Sequence, residues 1–199
     1  MTDTLLLVGR AHTREVAQIH AKRLRSRSIA DRVDVATYDG DPAELDPEIN
    51  SETYVVPMAA APDRDTTRAI PGALPTAHHC EPVGTSPAAG RGLADRAREV
   101  VSPTADTSVA LVAFGAGARE TTERQADRLR EMTKYGEVAT AYLLQNPAVE
   151  CLRYNLSGER AVVVPFFVAA CEETEHAIPD KLDLDRGGLE YTAPLGTHE

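Results

Sequence analysis

The 199-residue sequence predicts an α/β protein of two tandem halves, each a four-stranded parallel sheet flanked by helices. Two observations lead there. Short apolar segments alternate with amphipathic, charge-rich ones along the chain. One such unit then recurs about a hundred residues later, in the same order.

The recurrence is clearest where Val55-Val56-Pro57 through Pro71 is laid on Val163-Val164-Pro165 through Pro179, an offset of 108. Eight of the 17 positions are identical: both valines, the first Pro, Ala61/Ala169, Thr66/Thr174, Ala69/Ala177, Ile70/Ile178 and the last Pro. Upstream, Arg14-Glu15, Ala21 and Arg23-Leu24-Arg25 match Arg119-Glu120, Ala126 and Arg128-Leu129-Arg130 at 105, and Val35-Ala36-Thr37 matches Val138-Ala139-Thr140 at 103. Downstream, Pro82, Gly84 and Thr85 match Pro194, Gly196 and Thr197 at 112. A slowly drifting offset near 105 is too long for a solenoid repeat and suits a duplicated domain. The halves are expected at residues 1–101 and 108–199, joined by the polar stretch Ser102–Thr107.

In the first half, Thr4–Gly9 is a short apolar strand. Thr13 can cap a helix reaching about Arg27, with Val16, Ile19 and Leu24 on its apolar face. Val33–Thr37 is a second strand, Asp41–Ile49 a short helix or loop, and Thr53–Met58 a buried strand. A helix covers about Arg64–Arg68 and ends near Pro71. His78–Val83 is the fourth strand, and Pro87–Val101 a connecting helix with Pro well placed at its start. The second half repeats the pattern at 108–114, 119–134, 137–142, 146–154, 161–168, 172–178 and 189–195.

Composition narrows the function. A net charge of −10 argues against a general nucleic-acid binder. Of 21 basic residues only Lys22, Lys134 and Lys181 are lysines, and with 31 acids this balance points to adaptation to high salt. An ordinary acidic cytosolic protein is the alternative reading. No apolar run approaches a membrane span, and no secretory signal is visible at the N-terminus, so a cytoplasmic setting is expected without membrane or nucleic-acid partners. The three cysteines form neither a disulfide framework nor a metal motif; Cys80 and Cys151 read as small core residues.

Parallel sheets bind ligands beyond the carboxyl ends of their strands. That rule selects Arg10 and His12 after the first strand, mirrored by Phe114 to Gly117. It selects Asp63, Arg64 and Asp65 after the third, mirrored by Cys171, Glu172, Glu173 and His176. Thr85 and Ser86 follow the fourth, mirrored by Thr197 and His198. The GAGAR segment at 115–119 lacks the third glycine of a dinucleotide fingerprint and reads as a tight turn, leaving a nucleotide-binding module as a minor alternative. The segment CEETEH at 171–176 combines carboxylates with an imidazole, which suits a divalent cation such as cobalt, nickel, zinc or ferrous iron and supplies a base near neutral pH. The alternative is a solvated helix start with acids near the dipole. His78 and His79 begin a strand, at the wrong sheet edge for a site. His20, in mid-helix, reads as a surface residue.

The run AVVVPFFVAACEETEHAIP and the closing EYTAPLGTHE resemble the type II tetrapyrrole chelatases, closest to the CbiX-type sirohydrochlorin cobaltochelatases. LLLVGR and PVGTSPA resemble further segments of that family, so the resemblance runs through both halves. It implies two flavodoxin-like halves, a tetrapyrrole cleft between them, and a divalent metal handled as substrate: cobalt first, iron or nickel otherwise. At the positions of the family's metal histidines this sequence carries Arg10 and Phe114, and Asp65 and Glu173. The resemblance thus implies His12, Asp65, Glu173 and His176 as metal-handling residues, with His12, Glu173 and His176 catalytic. Arg10, Arg64, Thr85 and Ser86 become substrate-binding candidates, with Arg68 a further one, because the substrate carries many carboxylates. A non-catalytic carrier or accessory protein of the same fold is the rival reading. A monomer and a homo-oligomer are equally compatible.

Overall fold

The computed structural model describes residues 3–196. Two compact units, Met1–Thr85 and Ser86–Glu199, divide the chain. The first holds β1 (Thr4–Arg10), α1 (Arg14–Ser26), β2 (Arg32–Tyr38), β3 (Thr53–Pro57), the short α2 (Ile70–Ala73) and β4 (His78–His79). The second opens with α3 (Pro87–Val100) and continues through β5 (Thr107–Ala113), α4 (Arg119–Met132), β6 (Glu137–Tyr142), α5 (Leu152–Asn155), β7 (Arg160–Pro165), α6 (Ile178–Leu182) and β8 (Glu190–Tyr191).

Each unit has one four-stranded sheet, in the orders β2-β1-β3-β4 and β6-β5-β7-β8. Every pairing is parallel. The expected duplicated α/β architecture is therefore the observed one. The first strand of each unit is central and apolar because helices cover both of its faces. All seven residues of β5 are buried, and only Arg10, at its carboxyl end, is exposed in β1. Leu6, Val8, Val55, Ile70 and Leu74 form one core; Ala110, Val112, Val163, Ile178 and Leu182 are central to another. In both sheets the winding switches sides between the first and third strands, and the loops following those strands at their carboxyl ends are where parallel sheets of this kind bind ligands.

Several local expectations change. The Val35–Thr37 match to Val138–Thr140 is out of register. Leu5 pairs with Val33, while its counterpart Val109 pairs with Val138, so Val33 and Val138 are equivalent at an offset of 105. The helices agree: Arg25 donates to Val33 O, and Arg130, also 105 later, donates to Val138 O. The error is one of two residues, which the sequence pattern tolerates because a slip of two keeps every side chain on its face.

On α1 the buried stripe is Thr13, Ala17 and Ala21; Val16, Ile19 and Leu24 flank it half-buried. Small residues take the centre because the helix lies close against the sheet. His20 is likewise half-buried. The fourth strands shrink to two residues each, His78–His79 and Glu190–Tyr191. Asp41–Ile49 supplies a single turn, Pro42–Glu44, whose first N–H group is capped by Asp41. The expected 146–154 element is a turn at Val149–Cys151 leading into α5. Cys80 and Cys151 are exposed rather than core residues: Cys80 follows the short edge strand β4, and Cys151 closes the turn that leads into α5.

The helices expected to stop near Pro71 and Pro179 instead run past them. Each starts as a wide turn, Asp65–Ala69 or Glu173–Ala177, in which the N–H of Ile70 or Ile178 reaches back five residues to Asp65 O or Glu173 O. The extra residue places each proline in the first turn of the next helix, where its missing N–H has no role.

The helix α3 packs within the second unit. Gln125 Nε2 of α4 donates to Ser86 O at 3.1 Å, and Arg96 Nε donates to Pro194 O at 2.8 Å. Gly90 permits the close approach: a Cβ there would meet Gln125 Oε1 at 2.8 Å.

Candidate functional site at the carboxyl ends of the sheets

The repeated threonine explains how each unit presents its carboxylate. In the first, Asp63 N–H donates to Thr66 Oγ1 at 2.8 Å, and that hydroxyl lies 3.2 Å from Asp63 O. In the second, Cys171 N–H donates to Thr174 Oγ1 at 2.9 Å, and the hydroxyl donates to Cys171 O at 3.0 Å. One side chain thus closes the loop where the wide turn begins. The turn's first residue, Asp65 or Glu173, follows two positions after the stapled residue, at the carboxyl end of the sheet. Wide turns of this kind recur at functional sites.

The two carboxylates then diverge. Asp65 Oδ2 accepts from Arg10 at 2.5 Å and from the Tyr38 hydroxyl at 3.0 Å. Arg10 also lies over the Tyr38 ring, 5.7 Å from its centroid. Burial, with the Asp65 carboxylate beside it, pushes the Tyr38 phenol far up, so it stays a donor. In the second unit Phe114 occupies the Arg10 position, and no ion pair to Glu173 forms among the described residues. Glu173 instead neighbours Cys171, whose thiol is pushed up by burial and by that carboxylate. A thiol held protonated is a poor metal trap and a poor nucleophile.

The remaining candidates fall as follows. His12 is exposed in the turn Ala11–Thr13 after β1, and His176 is exposed in the wide turn Glu173–Ala177. Arg64 and Arg68 are exposed at either end of the first wide turn. Thr85 Oγ1 donates to Pro82 O at 2.8 Å, and Ser86 caps α3 by accepting from Ala88 N–H, so both have structural partners. Thr197 and His198 lie outside the described residues. Among the described residues no group of three or more His, Cys, Asp and Glu side chains is placed to hold a metal ion. His78 stacks on Tyr54, with ring centroids 5.1 Å apart, and His79 Nε2 lies 3.0 Å from Leu74 O.

Sequence reasoning missed Tyr38 and a second cluster. Arg119 lies over the Tyr142 ring at 4.9 Å, and Glu123 accepts from Thr140 at 2.7 Å and from Tyr142 at 3.3 Å. Both tyrosines end the second strand of their sheet, and that position was the available signal.

Residues 111–199 match the CbiX family model. A Halobacterium salinarum protein named "Probable sirohydrochlorin cobaltochelatase" is 26% identical over 204 residues, which cover 83% of this chain and 70% of that protein. Among solved structures, DR2241 from Deinococcus radiodurans, described as a multi-domain protein with structural similarity to chelatases, superposes with a TM-score of 0.80 at 20% identity. The match covers 99% of this chain and 52% of DR2241, so the chain spans about half that protein's length. CbiX, described as the terminal enzyme for biosynthesis of siroheme in denitrifying bacteria, superposes with a TM-score of 0.75 at 20% identity, over 98% of this chain and 92% of that one. No helix among the described residues is long and apolar enough to cross a membrane. By family pattern over residues 111–199, and by fold over nearly its whole length, the chain resembles the CbiX-type sirohydrochlorin chelatases.

Proposed function

We propose that the chain inserts a divalent metal into sirohydrochlorin, with cobalt as the preferred metal and cobalamin synthesis as the setting. The observation that carries this reading is the CbiX match across the segment holding β7, the wide turn, Glu173 and His176. The reaction needs the metal stripped of water and two pyrrole protons accepted. Weak oxygen and nitrogen ligands suit a metal that must be passed on, because tight thiolate ligation would trap it. Glu173 and His176 fill that role: a carboxylate without a cationic partner among the described residues, and an exposed imidazole that can serve as the base.

In the first unit a cation would compete with Arg10 for Asp65, so His12 and Asp65 are secondary metal candidates. Arg10 and Arg64 are better used on substrate carboxylates, which guanidinium groups match with paired donors. Iron and nickel are the alternative metals, and the reaction would be a lyase-class chelation.

A carrier that binds tetrapyrrole without turnover is the second reading. It is favoured by one observation: the first unit's carboxylate is already neutralised by Arg10. Incubation with cobalt and sirohydrochlorin, followed by absorbance, decides between them. Turnover lost in Glu173→Gln and His176→Ala is the expected result. Folded protein with no rate above the uncatalysed one would overturn the chelatase reading, and tight binding without turnover would establish the carrier.

A further inference from the structure

The wide turn that carries Glu173 and His176 leaves one backbone carbonyl without a donor of its own. Ile178 N–H, four residues after Thr174, goes to Glu173 O. The residue five positions after Thr174 is Pro179, which has no N–H. That proline suits the start of α6, but it withholds a donor from the turn before it. Thr174 is buried, so its carbonyl needs a partner from elsewhere in the fold. The Tyr191 hydroxyl supplies it, donating to Thr174 O at 2.8 Å. Tyr191 stands on β8, where it pairs with Val163 of β7, and its ring packs against the core that holds Ile178 and Leu182. The donor is therefore mounted on a rigid element. Thr174 is tied twice, by its hydroxyl to Cys171 and by its carbonyl to Tyr191.

The first unit secures its turn differently. His79 holds the place of Tyr191, since it pairs with Val55 as Tyr191 pairs with Val163. Its ring lies against Leu74 O, not against the wide turn. There the ties run through the carboxylate itself: Asp65 accepts from Arg10 and from Tyr38. In the second unit the tie runs through the backbone, and Glu173 has no cationic partner among the described residues.

We infer that Tyr191 is a positioning residue for metal insertion: it fixes the peptide between Glu173 and His176 and so holds that pair in place without occupying the Glu173 carboxylate. This rests on the chelatase reading above and adds the residue that orients its proposed machinery. Tyr191 acts through Thr174 O and needs no contact with metal or substrate. Small displacements of reacting groups slow a reaction steeply, so one hydrogen bond to the turn can govern its rate.

The test follows cobalt insertion into sirohydrochlorin by absorbance in wild type, Tyr191→Phe, Pro179→Ala and the double variant, with circular dichroism to check folding. Tyr191→Phe keeps the ring and removes only the donor. It should fold and keep its KM for sirohydrochlorin, while kcat falls about tenfold or more. Pro179→Ala returns an N–H five residues after Thr174, and in the double variant it should restore most of the lost kcat. Wild-type kcat in the folded Tyr191→Phe overturns this inference alone. So does a rise in KM without a fall in kcat, or a loss that Pro179→Ala does not repair. Unfolding of Tyr191→Phe also overturns it, because the tie would then hold the sheet rather than the turn. No turnover by wild type overturns it together with the chelatase reading.

Discussion

Arg10 and Asp65 meet at the carboxyl end of the first sheet, 2.5 Å apart and 55 residues distant in the chain. Asp65 is mostly buried while Arg10 is about half exposed, so water and salt weaken the pair. Arg10→Ala should therefore cost less than about 1 kcal/mol of stability. Tyr38→Phe removes a hydrogen bond to the same carboxylate from a buried phenol and should cost about 1–2 kcal/mol. Urea denaturation of both variants checks the order.

The two carboxylates should not be equivalent in activity. If the second unit handles the metal, Glu173→Gln should slow cobalt insertion by about 100-fold or more, as removal of a proton acceptor does. Asp65→Asn should slow it far less, because Arg10 already neutralises that group. Equal losses in the two variants would move the chemistry to both units.

Acid should unfold the second unit partly through Glu137. Burial raises its pKa, but hydrogen bonds from Ser108 Oγ at 2.6 Å, Ser157 N–H at 2.8 Å and Ser157 Oγ at 3.0 Å outweigh that and hold it below the ordinary glutamate value. A carboxylate with a lowered folded pKa stabilises above its unfolded pKa, and that contribution is lost as pH falls through the folded one. The loss should therefore begin near pH ~4.3 and continue below it. Glu137→Gln should flatten this acid limb in melting temperature measured against pH.

Two glycines should respond oppositely to a methyl group. At Gly84 a Cβ would meet Ala60 O at 1.9 Å, a backbone atom that cannot yield. Gly84→Ala should cost about 2 kcal/mol or more. Gly72, inside α2, has nothing within 4 Å, so Gly72→Ala should stabilise by about 0.5–1 kcal/mol. Thermal melts would separate the two at once.

Gln145 carries a buried amide nitrogen without a partner among the described residues. Gln145→Met keeps the length of the side chain and removes the unmet donor. It should raise stability by about 1 kcal/mol, read from the denaturation midpoint.

Much of the candidate site is legible because strand ends are legible. Following apolar runs to their carboxyl ends picks out Arg10 and Phe114, at the ends of β1 and β5, and Asp65 and Glu173, which open the wide turns that follow β3 and β7. The repeated Thr66/Thr174 is visible as an identity, but its job as the staple of a wide turn is not, since that depends on backbone geometry. The prolines mislead for a related reason: by pattern alone they stop helices, whereas the extra residue of the wide turn makes them helix starts.

The sequence by itself determined the duplicated α/β plan, because burial on both faces requires apolar strands and covering helices in alternation, and that alternation is written locally. Tertiary structure decided the register of β2 and the pairing of Arg10, Tyr38 and Asp65. A two-residue slip preserves the alternation of faces, so local pattern cannot exclude it. Contacts across 55 residues follow from strand order and turn geometry, and these are settled only when the whole sheet packs.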